Sequence, residues 1–241
     1  MTKYLNSTQI EWVAHKDGSK GFTWNPIVGC RRDCPYCYAA ALCKRFAVPW
    51  DRDPEDPFKP RFYPERLDAP LKLKKPSKIF MMSMGELWGH WVPDHWKCKI
   101  METVRQASQH TFLNLTKSTV CMGDLDDTRP LPSNYWLGVS VDTMENTIFL
   151  ERLRQVRHPN KFVSFEPLLE NVAMGKYFTL EGVKWVIIGA QTGPGGHQPD
   201  PAWTMNIIAD AIQRGIPIFM KDNMRWAPGK ADYRAFPEGF P

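Results

Sequence analysis

Three cysteines fall within eight residues in the stretch Gly-Cys-Arg-Arg-Asp-Cys-Pro-Tyr-Cys-Tyr-Ala, residues 29–39. Thiols as close as Cys30, Cys34 and Cys37 rarely serve packing. Gaps of three and then two residues let one short loop reach three corners of an iron–sulfur cube. A four-iron cubane ordinarily takes four thiolates. No fourth cysteine lies at a matching distance, so one iron would be left open to a ligand that is not protein. The same thiols, with Cys43 as a fourth, also suit a tetrahedral structural zinc site. Such sites more often pair two knuckles from separate segments, and no second knuckle is present. A disulfide is the weaker reading, because three cysteines cannot all pair with one another and the chain shows no secretion signal.

Composition narrows the setting. The chain has 241 residues, 43% of them hydrophobic and 24% charged. That is the size of one α/β barrel, which runs to about 200–250 residues as a single domain. Residues 1–241 are therefore expected to form one domain. No apolar run approaches the roughly 20 residues that span a bilayer. A cytoplasmic protein with no membrane partner is expected, and Cys43, Cys98 and Cys121 read as isolated buried or idle thiols. The net charge of +5 is compatible with a nucleic-acid or phosphorylated substrate. The densest basic run, Lys72, Lys74, Lys75 and Lys78, reads foremost as a solvated turn before a strand.

Hydrophobic rhythm sets the fold class. A first short strand within residues 21–29 feeds the cysteine loop, and a helix follows over 39–46. Residues 48–76 carry Pro49, Pro54, Pro57, Pro60, Pro64, Pro70 and Pro76. No continuous helix or central strand survives that density, so a long ordered insertion with a short helix near 65–69 is predicted. Strands then recur at 78–83, 111–116, 134–141, 161–166, 184–189 and 216–220, with helices over 94–107, 143–154 and 203–214. Continuous apolar strands alternating with amphipathic helices imply a parallel sheet covered on both faces. Right-handed crossovers would curl it into a partial or complete TIM-like (β/α) barrel.

Polar residues collect where these strands end. The cysteines follow the first strand, Ser83 and Glu86 the second, and Thr116 and Lys117 the third. Ser140 and Asp142 follow the fourth, Glu166 the fifth, Gln191 and Thr192 the sixth, and Lys221 and Asp222 the last. In parallel α/β folds the active site is built on that face. Glu166, between Phe165 and Pro167, would be a costly carboxylate to bury without a partner. The glycine-rich stretch 189–196 lacks a Gly-Lys-Ser/Thr ending, so it reads as a loop permitting close backbone approach to a ligand rather than a P-loop.

The cysteine loop resembles the signature of radical S-adenosylmethionine enzymes, down to the aromatic Tyr36 before the last cysteine. The resemblance implies a four-iron, four-sulfur (4Fe-4S) cluster on Cys30, Cys34 and Cys37, with S-adenosyl-L-methionine chelating the open iron. An electron from a donor such as flavodoxin or ferredoxin would cleave the sulfonium, giving a 5′-deoxyadenosyl radical that abstracts hydrogen from a substrate. It also implies cofactor-binding roles. Ser83 and Glu86, in a turn partly like the superfamily's Gly-Gly-Glu, would bind the methionine ammonium. Ser140 and Asp142 would take ribose hydroxyls or the methionine carboxylate, and Tyr36, Glu166 and Gln191 complete the candidate set. Lys117, Lys221 and Asp222, with the Trp88, His90 and Trp91 group, are candidates to line a substrate pocket, although tryptophans at such spacing more often belong to a core. A nucleobase or nucleic-acid substrate suits a basic, aromatic-rich surface. The competing reading is a non-catalytic, zinc-stabilised nucleic-acid-binding protein.

Six further motifs narrow the resemblance. Ile10-Glu-Trp12, Thr23-Trp-Asn-Pro-Ile-Val-Gly-Cys30, Leu115-Thr-Lys117, Trp136-Leu-Gly-Val-Ser140, Phe162-Val-Ser-Phe-Glu-Pro-Leu-Leu169 and Val186-Ile-Ile-Gly-Ala-Gln-Thr-Gly-Pro194 are together similar to the phage Gp37/Gp68 family (domain of unknown function 5131), a radical S-adenosylmethionine-like group. That family often has a longer gap between its first two cysteines, and commonly Glu where this chain has Gln191.

Overall fold

The computed structural model describes residues 3–124, 130–193, 195–225 and 230–240. Among them, in chain order, are β1 (Leu5–Ser7), β2 (Phe22–Trp24), β3 (Ile27–Val28), α1 (Tyr38–Arg45), β4 (Arg61–Phe62), β5 (Lys78–Met81), α2 (Asp94–Gln106), β6 (Thr111–Thr116), β7 (Tyr135–Ser140), α3 (Ile148–Gln155), β8 (Lys161–Phe165), β9 (Val186–Ile188), α4 (Pro201–Gln213) and β10 (Ile218–Met220). Eight strands make one sheet in the order β1-β2-β5-β6-β7-β8-β9-β10. β1 runs antiparallel to β2, and every other neighbouring pair is parallel.

Sequential parallel strands joined by right-handed crossovers put all their helices on one side. Two apolar clusters record the result. On the outer face, Ile79, Phe112, Leu137, Val163 and Val186 pack with Ile100 and Val104 of α2, Leu150 and Leu153 of α3, and Ile207 and Ala211 of α4. The residues that alternate with them, Leu113, Trp136, Phe162, Ile187 and Phe219, form a second cluster with Trp12, Val13, Trp185 and Phe240. Helices thus cover one face rather than two, and rings from the chain's own terminal segments fill the other. The fold is an α/β partial barrel. Its two ends are linked by side chains: Arg234 donates to Glu11 at 2.6 Å and to Asp222 at 2.5 Å.

The inner face narrows from bulky to small along each strand. On β7 the inward sequence is Trp136, Gly138, Ser140; on β8 it is Phe162, Ser164. Gly138 pairs with Phe162 and Ser140 with Ser164. Rings fill the N-terminal end of the barrel, and small polar residues leave space at the C-terminal end.

Three details depart from the sequence reading. The first strand is broken at Asn25-Pro26 into β2, in the main sheet, and β3, which pairs with β4 of the insertion. Proline has no N–H to give a ladder, which explains the break. The expected helix at 65–69 is instead a pair of 3₁₀ turns, Pro64–Arg66 and Pro70–Lys72. Lys78 is fully buried rather than solvated, beneath the rings of Phe236 and Phe240.

The proline-rich insertion wraps the cysteine loop. The Cys30 amide donates to the Phe58 carbonyl at 3.0 Å, and Arg31 clasps Asp56 with two bonds of 2.9 and 2.7 Å. Buried Arg52 donates to the carbonyls of Val28, Pro57 and Lys59, pinning insertion and loop to one another.

Candidate active site

A cavity of about 920 Å³ opens at the C-terminal ends of the strands, and Cys30, Cys34 and Cys37 all line it. Gly29 starts the loop with φ +110°, in contact with Lys59, where a Cβ would lie 2.4 Å from the Lys59 carbonyl oxygen. The loop then turns tightly, with the Cys34 amide on Arg32 and the Cys37 amide on Cys34. Cys37 caps α1, its sulfur accepting from the Ala40 amide at 3.4 Å, and Cys30 accepts from Arg32 at 3.2 Å. Burial, above all, pushes the Cys30 thiol up to about 12, with Glu86 adding to it. Coordination to a metal reverses that preference, because a ligating thiol is deprotonated outright. Cys43 is buried on α1 and does not line the cavity, so it cannot serve as a fourth ligand there.

Glu86 and Ser83 lie beside this loop, because the isolated bridge from Gly29 to Gly85 holds the two turns together. A Cβ at Gly85 would sit 2.8 Å from the Ile27 carbonyl oxygen, so the approach requires glycine. Asn25 accepts from the Met84 amide at 2.9 Å and bonds the Ser83 hydroxyl, while Tyr38 donates to the Ser83 carbonyl at 2.5 Å. Glu86 is buried and accepts from the Trp88 amide at 2.9 Å, the Thr116 hydroxyl at 2.8 Å and the Lys117 amide at 3.3 Å. Burial raises its carboxyl above the ordinary value, against these bonds. Among the described residues no cation pairs with it.

Tyr36, Lys117 and Asp142 meet in one cluster. Lys117 lies 2.7 Å from Asp142, their side chains 14% and 8% exposed, and both bond the Tyr36 hydroxyl. Asn146 donates to the other Asp142 oxygen at 2.6 Å. Burial alone would raise the Asp142 carboxyl, but the Lys117 charge and these bonds outweigh it and hold it low. Asp142 itself does not line the cavity, whereas Tyr36, Lys117 and Ser140 do. Arg32 ties the loop to the same place, donating to the Lys117 carbonyl at 2.8 Å with its guanidinium over Phe149.

Farther along the sheet, Glu166 and Lys221 form an ion pair at the ends of β8 and β10, and both line the cavity. Gln191 lines it too, while its side chain accepts from the His197 amide at 3.3 Å. Within the loop at 189–196, Ala190, Gln191, Thr192 and Gly193 reach the cavity; Pro194 lies outside the described residues. Asp222 does not reach it, being ion-paired outward with Arg234.

The Trp88, His90 and Trp91 group is not a wall of this cavity. Trp88 is a core residue on the helical side, its indole donating to Asn114 at 3.0 Å and Tyr135 at 3.1 Å, and none of the three lines the cavity. Sequence reasoning missed Trp12, Asn25, Arg32, Tyr38 and Ser164. Ser164 had a signal, a hydroxyl alternating with Phe162 in an otherwise apolar strand; Asn25 had only its place before proline.

No curated protein matches this chain. Among solved structures it is similar to spore photoproduct lyase complexed with dinucleoside spore photoproduct, with a TM-score of 0.52 at 11% identity over 87% of this chain and 64% of that one. A tyrosine-to-phenylalanine mutant of the lyase gives a TM-score of 0.50 at 10% identity over 84% and 62%, and a cysteine-to-alanine mutant 0.50 at 11% over 79% and 60%. The chain thus spans less than two thirds of these proteins, and the likeness is one of fold. A family model described as a protein of unknown function (DUF5131) matches residues 7–236, nearly the whole length, and the chain belongs to that family.

Proposed function

We propose that this chain is a radical S-adenosylmethionine enzyme acting on a nucleobase or nucleic acid. The observation that carries the reading is the shared cavity of three loop thiols and a buried carboxylate, Glu86, which has no cation of its own. A four-iron cluster takes one thiolate at each corner, which suits Cys30, Cys34 and Cys37 strung along a loop. Bound there with S-adenosylmethionine, the cluster would supply an electron to the sulfonium and release a carbon radical.

The chain's own residues would bind and orient. Glu86 takes the methionine ammonium, a charge its buried carboxylate lacks. Arg32, which has no carboxylate partner among the described residues, is placed for the methionine carboxylate. Ser83 and Ser140 offer hydroxyls at the same rim, and Gln191 a side-chain amide. Asp142, its side chain bonded to Tyr36, Lys117 and Asn146, holds the loop in place. Residues 1–241 act as one domain, with 48–76 as a collar around the loop. The lyase structure's dinucleoside ligand and the net charge of +5 support a nucleobase as substrate. A flavodoxin- or ferredoxin-like donor and a cytoplasmic setting complete the proposal; among the described residues no helix is long and apolar enough to cross a membrane. Anaerobic reconstitution with iron and sulfide tests it. A brown protein with about four irons per chain is expected; a colourless one holding stoichiometric zinc would sink it.

A further inference from the structure

The Glu166 and Lys221 pair is a second group of charges in the same cavity. It lies on β8 and β10, the strands far from the cysteine loop in sheet order. Its side chains are 21% and 14% exposed, and both face the cavity. Gly189 follows directly on the intervening β9, and a Cβ there would press within 3.0 Å of Lys221 Cδ and 3.1 Å of Glu166 Cγ. The bare backbone there lets acid and amine meet over it. A half-buried ion pair is weak evidence of stabilisation, since desolvation offsets most of the attraction. Beside it the cavity offers apolar ring surface. Phe80 and Trp12 line it, packed edge to face with ring centroids 4.7 Å apart. Trp12 is 2% exposed and backs the Phe80 ring from beneath.

These features describe what would fit. The pair is neutral overall, so a phosphate or carboxylate gains no net attraction and meets Glu166. A flat ring that carries a donor next to an acceptor satisfies both charges at once. Phe80, half-buried at the cavity wall, offers such a ring an apolar surface to pack on.

Resting on the reading of a nucleobase substrate, we propose that Glu166 and Lys221 are the recognition residues of a base-binding subsite. They read a lactam edge, a ring N–H beside a ring C=O as in uracil and guanine. Glu166 accepts from the N–H and Lys221 donates to the carbonyl. A site built on such paired polar groups rejects an analogue that cannot hydrogen-bond far better than an apolar pocket rejects a methyl group.

The test is equilibrium binding of nucleosides to the full reconstituted chain, with uridine and 3-methyluridine as one pair and guanosine and 1-methylguanosine as another. Methylation removes the ring N–H, and binding at least about tenfold weaker is expected for each methylated partner. Replacing both partners, Glu166→Met with Lys221→Met, keeps similar length without any hydrogen-bonding head and strands no charge, so it should erase that preference while leaving the thermal melt intact. Equal binding of parent and methylated nucleosides, or no nucleoside binding at all, would overturn the subsite. Cys34→Ala should keep the preference, whereas discrimination by a reconstituted wild type that cleaves no S-adenosylmethionine would sink the radical reading and leave the subsite standing.

Discussion

Gly138 on β7 lies directly against the ring of Phe162 on β8, and a Cβ at that glycine would fall 2.5 Å from the ring edge. The contact marks the level at which the barrel interior changes from filled to open. Gly138→Ala should destabilise the fold by about 1–3 kcal/mol, the usual cost of overpacking. Urea unfolding measures it; unchanged stability would show that the ring moves aside freely.

The architecture was largely legible because buried parallel strands leave continuous apolar runs, and the polar residue closing each run marks the site face. What the sequence hid was which side each residue of a run faces. Phe162 and Val163 look alike in composition, yet one fills the barrel and the other meets the helices. The antiparallel β1 was invisible, since Leu5–Ser7 is too short and polar to show a period. Asp142 and Asp222 were placed correctly at strand ends, but only the fold shows their contacts turned to Lys117 and Arg234. Trp88 was ambiguous for the same reason: an indole that lines a pocket and one that donates into a core have the same spacing.

Lys78 is fully buried, and among the described residues its ammonium finds no hydrogen bond. Burial holds its pKa down at about 7, against about 10.4 unfolded. Between those values the unfolded chain binds the extra proton, so stability rises with pH across that window. Lys78→Met should therefore raise stability at pH 7 by something on the order of 2 kcal/mol, lost packing offsetting part of the roughly 1.4 kcal/mol per unit. The gain should shrink toward pH 10. Chemical denaturation at both pH values checks this, and a gain independent of pH would contradict it.

Asp142 sits in a buried pair with Lys117. Its carboxyl is held low in the folded chain, so it adds stability above the unfolded value of about 3.9 and loses it as pH falls through the folded one. Asp142→Asn strands the Lys117 charge and should cost about 3–5 kcal/mol at pH 7. The gap to wild type should narrow below about pH 4. Melts over an acid series decide it; a constant gap would mean that the pair does not form.

The central claim is that the loop thiols start radical chemistry in the cavity they share with Glu86. The most direct measurement is release of 5′-deoxyadenosine from S-adenosylmethionine by the reconstituted protein with dithionite, beside Cys34→Ala. Release by the wild type and none by the variant is the predicted result. Equal release by both, or none by a protein carrying its full iron, would contradict it.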